Sequence, residues 1–165
     1  MKLYEPVLQE LLSESKATRK MLEAVPEDKF SWKPHEKSMT LGHLASHLAD
    51  IPNWVSATVE TDELDFAASE YKPVNAGSKA ELLKIFDDSM AKAVECLKKA
   101  SDETLSGNWK MRSGDTVYFD LPKLIVLRNF VLSHSIHHRG QLSVYLRLND
   151  IPLPSVYGPT ADEAM

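Results

Sequence analysis

Apolar residues recur along most of this chain at helical rather than strand spacing. Between about Tyr4 and Ala24, the positions Val7, Leu8, Leu11, Leu12, Met21 and Leu22 largely fit one buried helix face. Pro6 suits a first turn, where its missing N–H is harmless, and Pro26 ends the segment. A connector over residues 25–39 follows, in which Phe30 and Trp32 are expected to tuck onto the core. A second helix opens at Thr40, a residue type suited to N-capping, and carries Leu41, Leu44, Leu48 and Ile51. Pro52 should kink it by removing a backbone hydrogen bond, with Trp54, Val55 and Val59 continuing the pattern. Residues 61–77 read as a loop. Ser78-Lys79-Ala80-Glu81 has the form of a capping box and opens a third helix, striped by Leu82, Leu83, Ile85, Phe86, Met90, Val94 and Leu97. A fourth helix runs from about Leu121 to Leu148, with Pro122 in its first turn and Asn149-Asp150-Ile151-Pro152 stopping it.

Within the connector 101–120, Ser113-Gly114-Asp115 separates Trp109-Lys110-Met111 from Val117-Tyr118-Phe119, which predicts a short hairpin near 109–119. Four helical segments without βαβ alternation predict an all-α fold, a four-helix bundle forming one domain over residues 1–165. The connectors are longer than simple up-down bundles need, so crossovers, or loops covering one end, are expected.

Composition narrows the classes further. A chain of 165 residues can bury a core without disulfides. It carries 19 basic and 24 acidic residues, a net charge of −5, which does not suit a general nucleic-acid binder. The longest aliphatic run, Leu124-Ile125-Val126-Leu127, is far short of the roughly 20 residues a bilayer requires. The N-terminal residues lack an apolar signal core, and the single cysteine, Cys96, cannot form an internal disulfide. A cytoplasmic protein is the expectation.

The histidines carry the chemistry. Five of six fall on two helices: His43 and His47 on the second, His134, His137 and His138 on the fourth. Imidazoles four residues apart share a helix face and can bind one metal ion. A third from a facing helix would give three ligands and an open position, the arrangement of a catalytic metal. Their surroundings are apolar, and buried imidazoles need partners, which a metal supplies. Spacing alone does not choose between His137 and His138, nor between His43 and His47. His35, in a polar loop, reads as an ordinary surface residue.

The run His134-Ser135-Ile136-His137-His138-Arg139-Gly140-Gln141-Leu142 resembles the C-terminal motif of the DinB/YfiT-like family. So do Tyr145-Leu146-Arg147 and the tail Tyr157-Gly158-Pro159-Thr160-Ala161-Asp162-Glu163, while Met39-Thr40-Leu41-Gly42-His43-Leu44-Ala45-Ser46-His47-Leu48-Ala49 is similar to its first metal-binding helix. The resemblance implies an antiparallel four-helix bundle of unusual connectivity, often a homodimer, holding a divalent ion (zinc or nickel) on three histidines. Matched residue by residue, it makes His47, His134 and His138 the ligands and His43 and His137 their neighbours. It also implies chemistry on a small-molecule substrate: a thiol-dependent S-transferase using a low-molecular-weight thiol such as bacillithiol, mycothiol or glutathione, or a hydrolase working through water. A third alternative is a non-catalytic, damage- or stress-inducible protein.

Further candidates sit around the ligands. Asp50, three residues after His47, could orient an imidazole. Gln141 and Tyr145 extend the stripe of His134 and His138 and could meet a substrate. Arg139 could clamp an anion, although an ion pair with Asp162 or Glu163 is the reading preferred here. Trp54 and Tyr157 could line a pocket. No HExxH-type glutamate stands beside the ligands, which weakens the hydrolase alternative.

Overall fold

In the computed structural model, which describes residues 2–69 and 72–164, the chain is mostly helical, with one short helix inside the connector expected over residues 101–120. The helices are α1 (Tyr4–Glu23), α2 (Leu41–Asp50), α3 (Trp54–Glu60), α4 (Lys79–Lys99), α5 (Asp102–Ser106), α6 (Lys123–Val126) and α7 (His134–Leu148). The break at Pro52 is a 3-10 turn, Ile51–Asn53, between α2 and α3. Thr40 caps α2 by accepting from His43 N–H, and Ser78 caps α4 by accepting from Glu81 N–H. No helix among the described residues is long and apolar enough to cross a membrane.

The bundle closes as a ring in which α1 packs against α4 and α7, and α2 packs against the same two. Helices consecutive in sequence are therefore not all neighbours, and the long connectors serve as the crossovers that this order requires. Leu8, Leu11, Met21 and Leu22 of α1 meet Leu44, Leu48, Leu82, Phe86, Leu97, Leu142 and Leu146 in one core. Each such side chain contributes about 1.5–3 kcal/mol on leaving water. Leu12, expected on the buried face of α1, is exposed instead, because it lies one position beyond the stripe of Leu8 and Leu11.

The all-α expectation needs correction, because a small three-stranded sheet sits beside the bundle. Its strands are β1 (Glu63–Asp65), β2 (Asn108–Ser113) and β3 (Thr116–Pro122). The predicted hairpin is β2–β3, antiparallel, with Gly114 at φ +55° in its two-residue connection. β1 lies within residues 61–77, expected as loop, and pairs parallel to β2, with Leu64 opposite Met111. Three residues are too few to show a period, so this strand is made by its partner. Asp65 accepts backbone N–H groups of Ala67 and Gly114 and pairs with Arg112 at 2.7 Å, binding β1 to the hairpin. Trp109, Met111 and Val126 form a second core with Trp54, Leu64, Phe66, Phe119, Leu121 and Phe130.

The fourth predicted helix is also corrected. Leu121 and Pro122 belong to β3, and between α6 and α7 the residues Leu127–Ser133 form a π-helical segment. Lys123, buried at the start of α6, donates to the carbonyls of Val59 and Thr61 and to Asp62 Oδ1. Its ammonium thereby closes the C-terminal end of α3, where unpaired carbonyls favour a cation.

Gly42 explains how the first connector reaches α2. Its N–H donates to Phe30 O at 2.9 Å, and Leu41 N–H donates to Trp32 O at 2.7 Å, so residues 30–32 satisfy the open donors of α2. A Cβ at position 42 would lie 3.0 Å from Phe30 Cβ and Cγ and 3.1 Å from its carbonyl oxygen. Gly42→Ala should therefore destabilise the fold by about 1–3 kcal/mol, the usual range for overpacking. Urea denaturation tests this, and an unchanged midpoint would show that the connector yields freely.

Candidate metal centre

α2 and α7 face each other across the bundle, and the contact between them brings together His47, His134 and His138. One ligand atom from each lies within 4.8 Å of the others. His47 Nε2 is 3.3 Å from His134 Nε2, which in turn is 2.8 Å from His138 Nε2. Neighbouring bonds fix the tautomers of His134 and His138. His134 Nδ1 lies 3.3 Å from the Phe130 carbonyl, which can only accept, so Nδ1 carries the proton. His138 Nδ1 donates in the same way to Gln141 Oε1 at 2.7 Å. Both rings thus turn an Nε2 lone pair toward the common centre.

The electrostatics keep these rings neutral. Burial, followed by the fields of His138, His134 and His43, pushes the His47 imidazole down to about 4. Burial and His138 lower His134, and burial lowers His138 against the opposing bond from Gln141. Neutral rings with protonated Nδ1 atoms leave no hydrogen between the Nε2 atoms at 2.8 Å. Facing lone pairs repel, and buried acceptors without donors are costly, so the donor set fits a cation placed between them. Such sites suit zinc, nickel and other imidazole-binding divalent ions.

The π-helical segment ends directly before His134 and includes Phe130. Wide turns of this kind often occur at functional sites, because they shift the phase of the residues that follow. Its place could not be read from the apolar pattern.

The other candidates are distributed around the cluster. His43 is half-buried, one turn before His47. His137 is exposed, with its ring centroid 4.9 Å from that of His138. Asp50 accepts from Asn53 Nδ2 at 2.7 Å and forms no bond with His47. Tyr145 turns away from the cluster, donating to Met39 O at 3.3 Å and meeting Trp32 edge-on at 5.6 Å. Trp54 lines an apolar cleft, and Tyr157 packs under Arg139.

Arg139 is a buried structural cation, with a different partner from the one expected. Asp162 pairs with Arg147 and Glu163 with Lys20, whereas Arg139 pairs with Glu14 of α1 at 2.6 Å. It also donates to Glu14 O, Thr18 Oγ1 and Tyr157 Oη. Tyr157 in turn donates to Glu14 Oε2 at 2.7 Å. A buried guanidinium is tolerable only when paired and fully bonded, and this one ties α7 and the C-terminal tail to α1. Sequence gave no cue to Glu14 or Thr18, which lie more than 120 residues away. Cys96 is buried, and its thiol is pushed up to about 11 by burial and by Glu60, so it is inert.

Comparison with known proteins gives a consistent answer. The uncharacterized protein YrdA of Bacillus subtilis (strain 168) is 25% identical over 150 residues, 91% of this chain and 85% of that protein. The uncharacterized protein YjoA of the same organism is 23% identical over 141 residues, 86% of this chain and 87% of its own. The crystal structure of a DinB-like protein from Bacillus cereus ATCC 10987 superposes with a TM-score of 0.73 at 24% identity, covering 93% of this chain and 97% of that one. That of YjoA gives 0.72 at 20% identity, covering 92% and 98%. The DinB family itself matches residues 2–164, so the chain belongs to the DinB family.

Proposed function

We propose that His47, His134 and His138 hold one divalent ion, zinc or nickel, with a coordination position open, and that the protein activates a low-molecular-weight thiol for transfer to a small electrophile. The observation carrying this reading is the convergence of three neutral imidazoles, two with Nδ1 tied down by Phe130 O and Gln141. A divalent ion on three neutral ligands keeps its full charge and would acidify a thiol beside it. The chain's own part is to fix the rings, hold them unprotonated and exclude competing donors. The sulfur must come from outside, since Cys96 is buried and held as the thiol. No carboxylate joins the cluster among the described residues, so a general base for water activation is not supplied there.

Metal analysis of untagged protein should give about one zinc or nickel per chain, and His134→Ala should lose most of it. Cobalt-substituted protein should develop a sulfur-to-metal absorption band on adding millimolar glutathione, bacillithiol or coenzyme A. A spectrum indifferent to all three would remove the transferase reading.

The depressed imidazoles also set a pH dependence for the metal-free protein. The unfolded chain takes up these protons near the ordinary value of about 6.5, whereas folded His47 resists until about 4. Stability is therefore full above 6.5 and is lost as pH falls toward 4. Thermal melting across this window should fall more steeply for the native protein than for His47→Gln. Parallel curves would contradict the buried, neutral state of this ring.

A further inference from the structure

The two rings on α7 are held by bonds of different kinds. The Phe130 carbonyl can only accept, so it keeps the proton of His134 on Nδ1 and leaves His134 Nε2 bare. Gln141 has a choice, because a carboxamide carries an acceptor at one end and donors at the other. The structure places its oxygen, and not its nitrogen, 2.7 Å from His138 Nδ1. The two residues are three apart on α7, so one helical turn brings their side chains together. Gln141 is exposed, and its amide N–H groups make no hydrogen bond among the described residues. Apart from His134, it is the only described residue hydrogen-bonded to His138.

A neutral imidazole carries one proton, and the bond made at one nitrogen decides what the other can do. If the His138 proton sat on Nε2, it would lie in the 2.8 Å gap to His134 Nε2, where a bare acceptor waits at hydrogen-bond distance. The cluster would then close on itself. His138 Nε2 would be a donor, the lone pair of His134 would be engaged, and two of the three converged nitrogens would be spent on each other. We infer that Gln141 is the positioning residue that prevents this: its carbonyl oxygen holds the His138 proton on Nδ1 and keeps the His134–His138 pair from closing into a hydrogen bond of its own. The consequence for an ion rests on the metal-centre reading above, while the hold on the His138 proton does not, so the two are measured separately.

The first experiment is long-range proton–nitrogen NMR of the imidazoles in chelator-treated, full-length protein at about pH 8, where the rings are neutral. The His138 signals are assigned by their loss in His138→Asn. Native protein should carry the His138 proton on Nδ1. Gln141→Met keeps the length of the side chain but removes the acceptor, and should move the proton to Nε2. Gln141→Glu supplies an acceptor that cannot donate when ionised, and should return the proton to Nδ1. Because Gln141 is exposed, the three proteins should melt alike, which separates lost positioning from lost folding. The second experiment is zinc affinity by competition with a chromophoric chelator. It should fall about 10–100-fold in Gln141→Met, the usual cost of losing an outer partner, and recover in Gln141→Glu. A native His138 protonated on Nε2, with the amide turned round, would overturn the inference, as would a Gln141→Met protein with an unchanged tautomer. Proton positions that move as expected in a protein that takes up no zinc would remove the metal-centre reading and leave the hold of Gln141 on His138 standing. Zinc bound equally by native protein and Gln141→Met, despite a moved proton, would keep the metal centre and overturn the role of Gln141 in it.

Discussion

Three imidazole nitrogens point at one another in the half-buried seam between α2 and α7, and the rest of the architecture follows from holding them there. Left alone, such an arrangement is unfavourable: with Nδ1 of His134 and His138 protonated, their Nε2 atoms face each other as two acceptors at 2.8 Å. A proton could relieve one contact, but burial and the neighbouring rings oppose it, most strongly at His47. The three rings could therefore hold a metal ion, and how well they would do so depends on how rigidly the protein keeps them converged.

That rigidity comes from elements with little chemistry of their own. Residues 30–32 cap α2 through Leu41 and Gly42, and the bare Cα of Gly42 lets them approach. Ser46, inside α2, donates to Gly42 O and accepts from Ala76 N–H, anchoring the segment that leads into α4. On the other side, the π-helical turn directs Phe130 O at His134, and Arg139 fixes α7 to α1 through Glu14 and Thr18. Arg139 directly follows His138, so the buried ion pair restrains the same turn that presents a ring to the centre. A loss at Glu14 would leave an uncompensated guanidinium in the core, which is why this pair couples folding to the site more tightly than a surface bridge does.

The helical part of this design was legible because its period is strong. The stripes of α1, α2 and α4, the Pro52 break, the caps at Thr40 and Ser78, and the hairpin around Gly114 all have local causes. What could not be read has non-local causes. β1 is three residues paired to a strand more than 40 positions away. The π turn is a change of hydrogen-bond phase that leaves no mark on the apolar pattern. Among the histidines, spacing allowed His43 or His47 and His137 or His138. The resemblance proposed a choice, and the packing of α2 on α7 groups the same three rings. Arg139 was recognisable as a cation needing an anion, but its partner depends on where α1 passes, so the neighbouring acidic tail was a misleading guide.

The distribution of polarity around the cluster follows the same logic. One side is closed by the second aromatic core, through Phe130 and Phe119 to Trp109. Hydrophobic burial there removes water and sharpens every electrostatic interaction at the rings. The chain's own thiol is kept out of play inside α4, and its nearest carboxylate along α2 is bonded to Asn53 rather than to an imidazole. On the proposed reading the reactive group is brought in by a small molecule, because Cys96 is buried and Asp50 is bonded to Asn53. In this fold the scaffold contributes position and a half-buried environment that favours neutral rings.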